Sequence, residues 1–336
     1  MRRFHCGCGH GVFFENYSCG ACHAELGFDQ RRLAMCSFPP ADPPDGFRHC
    51  ANRIAYGNCN WLVAADDDSE LCFACRMNAV IPNLTVGRNL LLWSRLEQAK
   101  RRLLYDLLRL RLPLAAVSGS VALRFEFLED QRSNPQVLEP FVTIGHVAGV
   151  ITINVAEADH PQRHAVREQM GERYRTLLGH FRHESGHFFF PRLISGDALV
   201  QFRQLFGDES ADYKSALDRY YARPQPVAIN EDYITTYASA HPHEDWAESW
   251  AHYLHIQDGL ETATAWGLVT TTSGDWVDDW VALAIPLNEM NRSLGGEDVY
   301  PFVLSAPVAA RLRFIHRQVA SLVAQRAAWA GDRTRS

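Results

Sequence analysis

The sequence predicts an α+β chain in two parts, a small metal-stapled N-terminal domain followed by a larger domain whose strands precede its helices. Three observations predict it. All nine cysteines lie at or before Cys75. Short apolar segments follow at Val121–Phe127, Val142–Ile144 and Val150–Val155, and the first alternates as a half-buried strand does. From Arg163 on, the apolar period becomes helical. Strands first and helices afterwards is an α+β pattern. The expected boundaries are residues 1–80 for tandem zinc ribbons, 83–112 for a linking amphipathic helix and 113–330 for the larger domain.

The chain has 336 residues, enough for two domains. Its net charge of −6 gives no reason to expect nucleic acid or an anionic membrane as partner. Met1-Arg2-Arg3 has no apolar stretch behind it, so no secretory signal is expected. No run of about 18 apolar residues predicts a membrane span. A cytoplasmic protein is therefore expected, and in a reducing compartment clustered cysteines read as metal ligands rather than disulfides.

The cysteines fall into two sets of four, Cys6, Cys8, Cys19 and Cys22, then Cys50, Cys59, Cys72 and Cys75. Four thiolates are the ligand set of a closed structural zinc site. Gly7, Gly9 and Gly20 permit the tight turns this needs, and metal would supply folding energy that so small a domain lacks. Cys36 is left over, and His5, His10, His23 and His49 could substitute as ligands. Residues 1–75 hold six arginines against nine acidic residues. Each thiolate tetrad would add a charge of about −2, so the ribbons are expected to dock protein rather than phosphate.

From Asn83 to Leu112, leucines recur at helical spacing with arginines between them. A packed helix whose arginines snorkel to water is expected. Downstream helices are expected near 163–190, stopped by Pro191, and near 199–205, 212–222, 243–256, 276–291 and 306–328.

His183-Glu184-Ser185-Gly186-His187 carries the main chemical signal. Residues four apart share a helix face, so His183 and His187 can ligate one ion, a catalytic zinc. Glu184 then lies beside that ion, placed to take a proton from water. Gly186 costs a helix about 1 kcal/mol relative to Ala, which close approach of another backbone would justify. Further on, Glu244, Glu248 and His252 repeat every four residues after the helix-starting Pro242. A catalytic zinc takes three protein ligands, and a ligand histidine commonly gives its other nitrogen to a carboxylate. Glu244 as ligand and Glu248 as that carboxylate satisfy both needs. Glu248 or His252 as the ligand is the alternative.

This helix, followed by Tyr237 and then Glu244-x-x-x-Glu248, resembles the gluzincin-type peptidases, among them the catalytic domain of anthrax lethal factor. Cys50-Ala-Asn-Arg, Cys59-Asn-Trp-Leu, Ile151-Thr-Ile-Asn and Leu177-Leu-Gly-His-Phe-Arg-His-Glu are similar to a bacterial family of zinc-binding metallopeptidases with an N-terminal zinc-ribbon region. The resemblance implies a zincin-like domain, a protein or peptide substrate, Glu244 as third ligand and Tyr237 as a hydrogen-bond donor to the oxyanion. It also implies strand Ile151–Val155 as a substrate edge. The expected activity is zinc-dependent endopeptidase. The competing expectation is a zinc-ribbon interaction module with an idle zincin domain.

Overall fold

The structure, a computed structural model, describes residues 1–40, 42–116, 121–223, 230–269 and 273–333, with side chains to residue 326. These residues group into two units, one of Arg2–Gln162 and one of Met1 with the chain from Arg163 on.

In the first unit three small strand pairs lie among the cysteines, and Cys72 and Cys75 follow the last of them. β1 (Phe4–His5) pairs with β2 (Gly11–Val12), β3 (Glu25–Asp29) with β4 (Ala34–Phe38), and β5 (Phe47–His49) with β6 (Leu62–Ala64), all antiparallel. Helix α1 (Ala51–Tyr56) sits between β5 and β6 and ends on the left-handed Gly57. After β7 (Asn78–Val80) comes the long helix α2 (Asn89–Arg109). Then β8 (Arg124–Leu128), β9 (Gly145–Val147) and β10 (Val150–Asn154) complete a four-stranded sheet of order β7-β8-β10-β9. β8 is parallel to β7 and β10, and β9 is antiparallel to β10. Phe125 and Phe127 pair in register with Ile151 and Ile153, and all four are fully buried.

A second core lies among the hairpins. Phe4, Phe14, Phe28, Trp61 and Tyr105 are buried together, with Phe14 edge-on to Phe28 at 4.8 Å and to Tyr105 at 5.5 Å. Tyr105 comes from α2, so this helix completes an apolar core that the hairpins lack alone. The expectation that the cationic side chains of α2 reach water fails at two of them. Lys100 is wholly buried and Arg101 is 5% exposed. Lys100 Nζ donates to Glu97 Oε1 at 2.8 Å, and Arg101 donates to the Asn58 carbonyl. Buried charge persists only where opposite charge and hydrogen bonds accompany it.

Val142–Ile144 is not a strand. The Val142 N–H donates to Asp130 Oδ2 and its carbonyl accepts from Asn154 Nδ2, so side chains take the groups a ladder would use. The edge strand forms three residues later instead.

Helix α3 (His160–Met170) contains the boundary between the units. The second unit continues with α4 (Leu177–Leu193), α5 (Asp197–Phe206), α6 (Tyr213–Tyr221), α7 (Pro242–Ala265), α8 (Trp276–Ser293) and α9 (Ala306–Arg333). The single helix expected over 163–190 is two. Gly171 leaves the helical region at φ 65°, and Thr176 starts α4 by accepting from the Gly179 N–H at 3.0 Å. Pro191 does not stop α4, which runs to Leu193. So near the end, proline forfeits only one ladder hydrogen bond.

Helices α4 and α7 pack against each other through glycine and tryptophan. A Cβ on Gly186 would stand 3.0 Å from the Ala247 Cα and 3.1 Å from the Trp250 Cδ1. Trp246 Nε1 donates to the Gly186 carbonyl and Trp250 Nε1 to Ser185 Oγ, each at 2.9 Å. Among the described residues no helix is long and apolar enough to cross a membrane.

Candidate metal centres

Each set of four cysteines converges. Cys6 Sγ lies 3.5 Å from Cys22 Sγ, and Cys8 Sγ lies 3.7 Å from Cys19 Sγ. In the second set Cys59 Sγ lies 3.5 Å from Cys72 Sγ and 3.7 Å from Cys75 Sγ. A disulfide would bring two sulfurs to about 2.05 Å. Sulfurs at about 2.3 Å from a shared zinc stand about 3.8 Å apart at the corners of a tetrahedron. The observed spacings fit the second case, and all nine thiols are free.

The first tetrad is built from the turn between β1 and β2 and the turn before β3. Gly9 sits there at φ 87° while its N–H donates to the Cys6 carbonyl. The second is fully buried. The Cys72 N–H points at Cys50 Sγ and the Trp61 N–H at Cys59 Sγ, as thiolate acceptors require. Cys36 lies on β4 outside both tetrads, half-buried, with its thiol pushed up by burial. None of His5, His10, His23 and His49 joins either tetrad.

The third cluster is His183, His187 and Glu244, whose ligand atoms lie within 4.8 Å of one another. α4 supplies the two histidines one turn apart. α7 supplies Glu244 from its first turn, where the helix dipole favours a carboxylate. His183 Nε2 is 3.3 Å from His187 Nε2 and 3.1 Å from Glu244 Oε2. Ligands at about 2.0–2.1 Å from one zinc would stand about 3.3–3.4 Å apart.

The tautomers sharpen this. His183 Nδ1 faces Glu248 Oε1 at 2.6 Å, so Nδ1 keeps a proton and Nε2 is the nitrogen turned to Glu244 and to an ion. Glu244 Oε2 is buried and accepts no hydrogen bond among the described residues. His183 Nε2 and Glu244 Oε2 face each other across 3.1 Å, a spacing that calls for a shared proton or a cation at their focus. Burial works against charge on His183, but Glu244 and Glu248 outweigh it and raise its affinity for a proton, as they would for a cation. Burial likewise opposes ionisation of Glu244, yet His183 and His187 hold its carboxyl well below the usual range.

Of the residues weighed as alternative ligands, Glu248 occupies the far nitrogen of His183, and His252 is turned away. His252 Nδ1 is 2.9 Å from the Tyr300 hydroxyl, and its ring lies edge-on to Phe302. Asp245 faces Arg311 Nε at 3.1 Å. Glu184 is 7% exposed beside the cluster, and burial raises its carboxyl above the ordinary value. The Tyr237 ring centroid is 6.0 Å from that of His183. Burial, with the Glu244 charge next, pushes its phenol up, so the hydroxyl keeps its proton. Strand β10, expected as a substrate edge, is not an edge: it lies between β8 and β9, and both neighbours pair with it.

Two residues escaped the sequence reading. Tyr213, at the start of α6, donates its hydroxyl to Glu244 Oε1 at 2.6 Å. His241 caps α7 by accepting from the His243 N–H. Neither carries a spacing signal relating it to the His183 helix.

A family model described as "Putative zinc-binding metallo-peptidase" matches residues 89–318, and one described as a zinc-ribbon domain matches residues 3–86. The chain is 42% identical to uncharacterized proteins of Mycobacterium bovis and Mycobacterium tuberculosis, over 95% of this chain and 95% of each relative. No solved structure matches it.

Proposed function

Because this chain belongs to the "putative zinc-binding metallo-peptidase" family, we propose that it is a zinc-dependent endopeptidase of the gluzincin type, acting on protein substrates. The observation that carries this reading is the convergence of His183 Nε2, His187 Nε2 and the Glu244 carboxylate with Glu184 beside them. Two further zincs in the thiolate tetrads would be structural. Reduced thiols in both tetrads favour a reducing, cytoplasmic setting.

Zinc held by His183, His187 and Glu244 would polarise the scissile carbonyl and make water acidic. Glu184 takes the proton of the attacking water and passes it to the leaving amine. Its raised proton affinity suits a group that must hold the proton between those events. Glu248 keeps His183 in the tautomer that leaves Nε2 free. Tyr237, protonated, donates to the oxygen on which negative charge develops. Serving only the histidine–glutamate cluster, this machinery leaves the ribbons free to dock a protein partner or substrate.

The test is hydrolysis of an unfolded protein by the zinc-loaded chain, set against small non-peptide amides. Cleavage of the protein alone, abolished by a chelator and restored by zinc, is expected. Turnover of the amides without peptide cleavage would move the chemistry to another amide class.

A further inference from the structure

Glu244 has two carboxylate oxygens, and the structure treats them differently. Oε1 accepts the Tyr213 hydroxyl at 2.6 Å and stands 3.6 Å from His187 Nε2, while Oε2 lies 3.1 Å from His183 Nε2. We infer that Tyr213 is the positioning residue of this carboxylate, holding Oε1 so that Oε2 is the oxygen turned to His183 and the ion. The inference rests on the metal reading above.

Tyr213 is 42% exposed, yet its backbone is fixed by the start of α6. Asp212 caps α6, its Oδ1 accepting from the Ser215 N–H at 3.0 Å. Ala211, one residue earlier, presents its carbonyl to His241 Nε2 at 3.0 Å. His241 is 3% exposed, and its Nδ1 accepts from the His243 N–H, so Nε2 carries the proton and donates. His241 is also the cap of α7, and its carbonyl accepts from the Glu244 N–H at 2.9 Å. One buried histidine therefore ties the start of α6 to the start of α7, and with them Tyr213 to Glu244. The ring of Tyr213 packs edge-on to that of His241 at 5.1 Å.

A carboxylate with both oxygens free can rotate or grip a metal with both. With Oε1 tied, the carboxylate contributes one oxygen and leaves the remaining positions for water and substrate. Groups that orient a ligand in this way typically contribute about 10–100-fold in metal affinity or activity.

The experiment is chelator competition on the full chain, resolving zinc lost from each class of site in wild type, Tyr213→Phe and Glu244→Gln. Tyr213→Phe keeps the ring and its packing. Zinc at the histidine–glutamate site is expected to loosen about 10–100-fold, with the thiolate zincs and the unfolding temperature unchanged. Affinity within about twofold of wild type overturns the inference, as does a lowered unfolding temperature with zinc affinity unmoved. If Glu244→Gln loosens one zinc and Tyr213→Phe none, only the role of Tyr213 falls. If Glu244→Gln loosens none, the metal reading falls and takes this inference with it.

Discussion

The imidazole of His183 is bracketed by two carboxylates one turn apart on α7: Glu248 Oε1 lies 2.6 Å from Nδ1, and Glu244 Oε2 lies 3.1 Å from Nε2. One helix face thus orients the ring and supplies a neighbour for its lone pair. The two carboxylates sit on the same ring but have different consequences. Removing Glu248 should weaken zinc at the site about 10–100-fold without removing a ligand. Glu248→Ala and Glu248→Gln, titrated against a chelator, check this, and Gln should lose less because its amide oxygen can still accept from Nδ1. Equal zinc affinity in Glu248→Ala and wild type would contradict it.

Gly186 is where α4 and α7 touch. Ala is worth about 1 kcal/mol more than Gly within a helix, but its Cβ would meet the Ala247 Cα at 3.0 Å, backbone that cannot rotate aside. Overpacking of this kind costs about 1–3 kcal/mol. Gly186→Ala should therefore lower the unfolding temperature and loosen zinc at the His183 site, since α4 must move away from Glu244. An unfolding temperature at or above wild type would show that the helices yield without cost.

Asp245 is 1% exposed, and burial pushes its carboxyl up to about 7 despite Arg311. The folded chain binds this proton more tightly than the unfolded one, whose aspartates titrate near about 3.9. The stabilisation is complete below the unfolded value and is lost as pH rises through about 7. Asp245→Asn should therefore gain stability relative to wild type between pH 5 and pH 8. Paired unfolding curves at the two pH values check this, and a difference independent of pH would count against it.

How much of this could be read from the sequence differs between the parts. The cysteine tetrads and the His183–His187 pair could be read because a metal demands fixed residue types at short spacings. Glu244 was among three candidates on one helical face, and helical period alone could not choose between them; orientation toward His183 separates them. The break at Gly171 was hidden because the apolar pattern resumes after it. Lys100 and Arg101 were misplaced because the charge that allows their burial lies in Glu97 and the distant ribbon. Tyr213 lies 31 residues before Glu244, and only the approach of the start of α6 to the start of α7 joins them.

Arg101 offers a separate test of the ribbon. Burial works against its charge, but Cys59, then Glu97, hold the guanidinium charged. A four-thiolate zinc site carries about −2, so this cation offsets part of it. Arg101→Met should speed zinc loss from the second tetrad by about tenfold, leaving the first tetrad unchanged. Chelation kinetics followed with a thiol reagent would show it, and a second-tetrad rate equal to that of wild type would refute it.

The measurement that bears most directly on the central claim compares wild type with Glu184→Gln by mass-spectrometric mapping of new protein termini in a cell lysate, with zinc content measured in both. Gln keeps the shape of Glu184 but cannot take the proton of water, a loss of about 10²–10⁴-fold. New termini with wild type alone, at equal zinc content, are the expected result, and they would define the sequence preferred around the cut. Identical termini from both proteins, zinc equally loaded, would contradict Glu184 as the base and the endopeptidase reading with it.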